Sequence, residues 1–295
     1  GTSVTGTSEP AYCDRTDPRM SDKIPLAAVI GHPIAHSKSP NVHGYWLRKY
    51  GLKGHYIPMD IEPDKLSELL PRLADLGFVG ANVTIPHKEK VMEIADLITD
   101  RATLIGAANT LIFRKDGRIH ADNTDGYGFI ENIRQSIPDW NPKSGPAVVF
   151  GAGGACRAVL ASLIDVGVPK ILLTNRTRIR AEKLREDFGN RIQVIEWVQA
   201  GNVLEDADLV VNTTSLGMTG KPEMRVPLDG LRPGAIVNDL VYTPLRTRLL
   251  ATAEDRGCRV VDGVGMLLHQ AVPGFERWFG KRPEVDENVR AAVLR

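Results

Sequence analysis

The segment Gly151-Ala152-Gly153-Gly154-Ala155 constrains this chain more than any other. It follows Ala147–Phe150, four apolar residues that read as a buried strand, and it opens residues 155–166, whose spacing reads as a helix. Glycines at such a turn let the backbone bend tightly and come close to a pyrophosphate, whose charge rests on free N–H groups of the helix's first turn. An ordinary tight turn would accept the same glycines, but a strand on one side and a helix on the other favour dinucleotide binding. The third glycine position of the usual fingerprint is Cys156, so the motif is a variant.

The next strand, over residues 171–175, bears on which dinucleotide is bound. An NAD site usually places Asp or Glu about 20 residues on, at this strand's end, to meet the ribose 2′-hydroxyl. Here the strand ends in Asn175-Arg176-Thr177-Arg178, with Arg180 close behind. A carboxylate would repel a 2′-phosphate, whereas a guanidinium pairs with it in bidentate fashion. Such arginines could be plain solvated surface. Their place at this strand end assigns the cofactor as NADP.

Strands and helices alternate along the rest of the chain. Strands are expected at 26–30, 55–59 and 79–84, with helices at 42–50, at 65–76 (Pro71 a bend or break) and from Pro86 to about 97, the pattern of a parallel sheet covered on both faces. Residues 107–113 and 118–121 flank Lys115-Asp116-Gly117, a hairpin turn. After a loop at 138–146 come strands at 147–150, 171–175, 209–212, 235–239 and 259–261 and helices at 155–166 and 180–188. Short continuous apolar runs indicate strands buried on both faces. The fold class is therefore α/β, with two α/β domains and a cleft between them, within the reach of 295 residues.

A formal net charge of +1 provides no whole-molecule field for nucleic acid. Cys13, Cys156 and Cys258 are scattered and odd in number, which suits a reducing cytoplasm and neither a disulfide framework nor a metal cluster. No apolar run reaches the roughly 20 residues of a membrane span. Residues 1–23 are expected to be a disordered leader without function, Met20 being a candidate original start.

Several polar groups gather at element ends. Ser37 and Ser39, in Gly31-His32-Pro33-Ile34-Ala35-His36-Ser37-Lys38-Ser39-Pro40, could present two hydroxyls to a carboxylate or a hydroxyl group, or could simply cap a helix. His32, His36 and His43 invite a metal reading, but Pro33 and Pro40 break the stretch and no acidic partner stands at ligand spacing, so no metal is assigned. Asn82 and Thr84 lie on one side of a strand end, where open α/β sheets bind ligands, and Lys88 follows in the turn. Gly106-Ala107-Ala108-Asn109-Thr110 and Asp122-Asn123-Thr124-Asp125-Gly126 add more. A lysine beside a carboxylate and facing a hydroxyl can pass a proton as hydride moves.

Together these segments resemble the shikimate dehydrogenase family, in order from about Ala27 to the C-terminal helix. The resemblance implies an N-terminal substrate-binding domain at 24–123 plus 264–295 and a Rossmann-type NADP-binding domain at 124–263. It implies reversible NADPH-dependent reduction of 3-dehydroshikimate to shikimate, on the way to chorismate and aromatic amino acids, in the cytoplasm, as a monomer or homodimer. Ser-x-Ser matches Ser37 and Ser39 as carboxylate ligands. Residues 82–88 match Asn-Val-Thr-x-Pro-x-Lys, implying Lys88 as catalytic lysine, partnered by Asp125, and Thr84 as a substrate contact. Asn82, Asn109, Asp125, Tyr242 and Gln270 are the further substrate ligands so implied. Gly151, Ala152, Gly153, Gly154 and Ala155 match the cofactor loop, and Asn175, Arg176, Thr177 and Arg180 the 2′-phosphate clamp. Thr213, Ser215, Gly217, Met218, Val241, Gly263 and Met266 match positions beside the cofactor.

Three positions depart from the pattern: Gly44 where Asn is usual, Cys156 in the glycine turn, and the bulky His269 beside Gln270, which bears on pocket shape. A quinate or aminoshikimate dehydrogenase is the neighbouring reading. Quinate-preferring members of the family often vary one of the two serines, and both stand here. A catalytically silent NADP- or metabolite-binding regulator is the reading from another class. The presence of both Lys88 and Asp125 speaks against it, since a sensor needs no proton transfer.

Overall fold

The computed structural model describes residues 23–295, so the expected leader lies outside the described residues but for its last position. The described chain divides into two compact units, residues 23–124 with 270–295 and residues 125–269.

The first unit carries a six-stranded sheet of order β2-β1-β3-β5-β6-β4. β1 (Leu26–Gly31) runs parallel to both β2 (His55–Asp60) and β3 (Phe78–Val83). Between β1 and β2 lies α1 (Ser39–Lys49), which starts three residues earlier than apolar spacing alone suggested. Pro40 sits in its first turn, where a missing N–H costs nothing. α2 (Leu66–Asp75) joins β2 to β3, continues through Pro71 and buries Leu66, Leu70 and Leu73.

The helix expected from Pro86 to about 97 is only a single turn, α3 (Val91–Ile94), and Leu97–Ile98 is instead a short strand, β4, parallel to β6. Competing partners explain the correction. The carbonyl of Lys88 accepts from Ala108 N–H at 2.8 Å, and His87 Nε2 reaches Ile61 O at 2.6 Å, so this stretch is tied to the approach of β5 and the end of β2 and not to a continuous helical ladder. α4 (Asp100–Ile105) follows, capped by the Thr99 side chain and ended by left-handed Gly106. β5 (Thr110–Phe113) and β6 (Ile119–Asp122) form the expected antiparallel hairpin, and β5 also pairs antiparallel with β3. The sheet is therefore mixed, where the first half of the sequence suggested a parallel one.

The second unit opens with α5 (Asp125–Ser136) and continues β7 (Ala147–Phe150), α6 (Gly154–Asp165), β8 (Ile171–Thr174), α7 (Arg178–Phe188) and β9 (Ile192–Val194). Then come α8 (Ala200–Val203), β10 (Leu209–Asn212), β11 (Ile236–Asp239), α9 (Arg248–Asp255) and β12 (Arg259–Val261). All six strands are parallel, in the order β12-β11-β10-β7-β8-β9. The chain starts in the middle, builds outward through β8 and β9, then returns to build the other way from β10. This is the doubly wound dinucleotide-binding order, reversing between β7 and β10. Every residue of β7, β8, β10 and β11 is buried, as their unbroken apolar runs require. Phe129, Val149, Leu160 and Val211 belong to the core layer on one face, and Phe150, Val210, Val237 and Leu250 to the layer on the other.

α10 (Val264–Phe279) begins in the second unit and ends in the first, and α11 (Glu287–Leu294) packs beside α1. Lys49 Nζ pairs with Asp286 at 2.7 Å, and Trp46 donates to Glu284 O at 3.2 Å. Among the described residues no helix is long and apolar enough to cross a membrane.

Candidate active site

In the first unit β3 delivers Asn82 to a buried polar network. Asn82 Oδ1 accepts from the Tyr56 hydroxyl at 2.7 Å, and its Nδ2 donates to Asn109 O at 3.2 Å. Asn109 is held in turn on both ends of its amide. Its Oδ1 accepts from Thr124 N–H at 2.9 Å and from the Thr110 hydroxyl at 3.0 Å. Its Nδ2 donates to Thr124 Oγ1 at 2.9 Å and to Gln270 Oε1 at 3.1 Å. Three expected ligands, Asn82, Asn109 and Gln270, are thus one hydrogen-bonded assembly, linked through Thr110 and Thr124. Those two threonines stood in the motifs without a role, and no local pattern marks them as connectors.

Ser37 lies in the loop between β1 and α1 and Ser39 opens α1, both half-buried, with Ser39 N–H donating to Ser37 Oγ at 3.3 Å. Thr84 N–H donates to Ile30 O at 2.9 Å, which continues the β1/β3 ladder and leaves Lys88, half-buried, in the following turn. Asn123 is anchored by Nδ2 to Ala107 O at 3.0 Å, and its N–H by Asp122 Oδ1 at 2.8 Å. Asp122 is fully buried and takes a fork from Arg101, Nε at 2.7 Å and Nη2 at 2.6 Å, besides the Thr99 hydroxyl at 2.8 Å. A bidentate pair of this kind stabilises the approach to residue 125. Of the remaining expected substrate ligands, Asp125 opens α5 and Tyr242 follows β11, both half-buried in the second unit. Burial pushes the Tyr242 phenol up.

The second unit presents the glycine turn in the form a dinucleotide needs. Gly151 has φ 122°, open to glycine alone, and a Cβ there would lie 2.2 Å from Thr213 Oγ1. Above Gly153 and Gly154 a Cβ would meet nothing within 4 Å, and no side chain caps the start of α6. Open space over uncapped amides fits a pyrophosphate. Cys156 donates its thiol to Gly151 O at 3.2 Å within the core layer, and burial pushes it up to about 12, so it packs and does not react.

At the end of β8 the arginines separate by partner. Arg178 is engaged by Glu182 at 3.3 Å and by Glu196, whereas Arg176 and Arg180, both exposed, make no ion pair among the described residues. Asn175 Nδ2 donates to Thr177 O at 2.9 Å and shapes the turn that carries them.

A further network lies under residues 213–218 and Val241. Asp239 Oδ1 accepts from Asn212 Nδ2 at 3.1 Å and from Val241 N–H at 3.0 Å, and its Oδ2 accepts from the Thr247 hydroxyl at 2.7 Å. Asn212 Oδ1 then accepts from Thr214 N–H and hydroxyl at 3.0 and 2.7 Å. Burial pushes the Asp239 carboxyl up, opposed by these bonds. The strand ends that hold Thr213, Ser215, Gly217 and Val241 are thereby tied together. Sequence reasoning missed Asp239 because its role needs β10 and β11 side by side. A cavity of about 260 Å³ borders Asn212, Gly217, Asp239 and Thr247, and of the expected cofactor contacts only Gly217 lines it.

His269 is buried and its Nε2 donates to Gln135 Oε1 on α5 at 2.9 Å. His43 is fully buried and stacked on Tyr56, and burial pushes it down to about 3. Among the described residues no group of three or more His, Cys, Asp or Glu is placed to hold a metal ion.

Three family models match the chain in succession. Residues 29–111 match the shikimate dehydrogenase substrate binding domain, 133–219 the shikimate / quinate 5-dehydrogenase model, and 263–294 the shikimate 5′-dehydrogenase C-terminal domain. A shikimate dehydrogenase (NADP(+)) of Cereibacter sphaeroides is 71% identical over 272 residues, 92% of this chain and 98% of that protein. Shikimate 5-dehydrogenase of Thermus thermophilus, solved with NADP(H) and shikimate, superposes with TM-score 0.81 at 34% identity, over 91% of this chain and 98% of that one. Quinate dehydrogenase of Corynebacterium glutamicum, solved with NAD, superposes with TM-score 0.84 at 30% identity, over 91% and 98%.

Proposed function

This chain belongs to the shikimate dehydrogenase family, and on that premise we propose that it interconverts 3-dehydroshikimate and shikimate with NADP, in the route to chorismate and the aromatic amino acids. The observation that carries the reading is the match to NADP-dependent shikimate dehydrogenases across nearly the whole chain. The enzyme is an oxidoreductase acting on a CH–OH group. NADPH, when bound, supplies the hydride for the C3 ketone.

The substrate domain is assigned to residues 24–123 with 264–295 and the NADP domain to 124–263. Ser37 and Ser39 hold the substrate carboxylate by donating hydroxyl protons. Thr84, Asn82, Asn109, Asp125, Tyr242 and Gln270 orient the ring and its hydroxyls, and orientation lowers the barrier before any acid–base help. Lys88 Nζ carries the proton that the C3 oxygen takes up on reduction and accepts it back on oxidation, and Asp125 is its acid–base partner.

On the cofactor side, the amides over residues 151–155 receive the pyrophosphate, with Asn175 and Thr177 shaping the turn beside it. Arg176 and Arg180 receive the 2′-phosphate, a choice that Arg178's engagement with two glutamates supports. Thr213, Ser215, Gly217, Met218, Val241, Gly263 and Met266 line the remainder. The protein works on a small molecule in the cytoplasm, as a monomer or homodimer and without nucleic acid.

Product analysis tests the reaction directly. Incubation with 3-dehydroshikimate and NADPH should yield shikimate by proton NMR, in step with NADPH consumed. Consumption of NADPH without shikimate would overturn the assignment.

A further inference from the structure

Tyr56 belongs to none of the motifs that mark the substrate site, yet it is wired into it. It stands on β2, buried, with its ring stacked on His43 at a centroid distance of 3.9 Å and an interplanar angle of 7°. His43 is enclosed in turn by Trp46, Phe275 and Trp278, with ring centroids 5.8 to 5.9 Å away, so the stack has no room to swing. At the far end of the ring the hydroxyl donates to Asn82 Oδ1 at 2.7 Å.

The Asn82 amide has one orientation that satisfies these neighbours. Its Nδ2 must face the acceptor Asn109 O, so its Oδ1 faces Tyr56. A phenol has a single proton, committed here to Asn82. One acceptor position on Oδ1 then remains, and only a hydrogen-bond donor can use it.

We propose that Tyr56 is a positioning residue for the substrate, whose hydroxyl fixes the Asn82 amide so that it presents an acceptor to a ring hydroxyl. The inference rests on the substrate reading above and adds the residue that sets Asn82's polarity. The group opposite Asn82 must be one that donates, a hydroxyl and not the reacting ketone. Tyr56 touches no reacting atom, so its loss weakens substrate binding and spares turnover.

Steady-state kinetics on Tyr56→Phe, Asn82→Ala and the double variant test it, with shikimate and NADP varied separately. Phenylalanine keeps the stack on His43 and deletes one oxygen. Tyr56→Phe should raise KM for shikimate on the order of tenfold, with kcat and KM for NADP within about twofold. In the Asn82→Ala background the same change should have no further effect, because coupled residues are non-additive. An unchanged KM in Tyr56→Phe, or fully additive effects in the double variant, would overturn the proposal. A Tyr56→Phe protein that fails to fold would assign the hydroxyl to the fold and overturn it too. A wild type that does not turn over shikimate would sink the substrate reading itself, and this proposal with it.

Discussion

Lys88 is assigned the proton that accompanies hydride transfer, and that role separates turnover from binding. Lys88→Ala should lower kcat by about 10²- to 10⁴-fold with small changes in either KM, measured by initial rates. A normal kcat would remove Lys88 from the mechanism. The arginines make a different prediction. Arg176→Ala and Arg180→Ala should each raise KM for NADP, by a factor corresponding to about 1.5–3 kcal/mol for a lost charge-assisted bond, and leave the weaker reaction with NAD unchanged. Equal losses with NAD and NADP would place these side chains away from the 2′-phosphate. His43 predicts a pH effect on stability. Its folded value lies near 3 because burial disfavours the imidazolium, below the ordinary 6.5 of the unfolded chain. The unfolded state therefore binds the proton first. Stability is fully present above 6.5 and falls as pH drops below it, by about 2 kcal/mol at pH 5. In urea titrations, His43→Phe should flatten that fall. An equal slope in both proteins would show that His43 does not titrate on unfolding.

At the scale of elements, local sequence and long-range pairing divide what can be read in advance. The glycine turn between β7 and α6 was legible because strand, turn and helix are consecutive and each has its own signature. The hairpin of β5 and β6 was legible for the same reason, through Asp116-Gly117. β9 was not: it is three residues long, at the sheet edge, and only Ile192 is buried, so no period can form. α3 came out as one turn because Ala108 on β5's approach claims the Lys88 carbonyl and Ile61 after β2 holds the His87 ring, information that lies elsewhere along the chain. Tyr56, Thr110, Thr124 and Asp239 escaped in the same way. Each acts through a neighbour brought in by sheet pairing. The segment before Asp125 depends on one such pair. Arg101→Ala would leave the buried Asp122 carboxylate without its fork, although Thr99 and Asn123 remain on it. We expect a loss of about 3 kcal/mol and a fall of several degrees in Tm by calorimetry. An unchanged Tm would mean that water or another donor replaces the guanidinium.

At the scale of the whole molecule, the order β12-β11-β10-β7-β8-β9 accounts for the placement of the residues proposed to hold the nucleotide. The glycine turn follows β7, the arginines follow β8 and the Asp239 network joins the ends of β10 and β11. All stand at the carboxyl ends of parallel strands around the point where the winding reverses, where α/β sheets bind ligands. The other unit brings Asn82 on β3, Asn109 just before β5 and Gln270 on α10 into one network. Fold class and cofactor were readable from consecutive residues, whereas the proposed substrate residues were readable only as motifs whose mutual contacts awaited the fold. The most direct test is the initial rate of NADPH or NADH formation with purified protein, pairing shikimate or quinate with NADP or NAD. Rapid formation is expected with shikimate and NADP, and far slower reaction with every other pair. Faster turnover with quinate would contradict the substrate assignment, and silence with all four would contradict the enzymatic one.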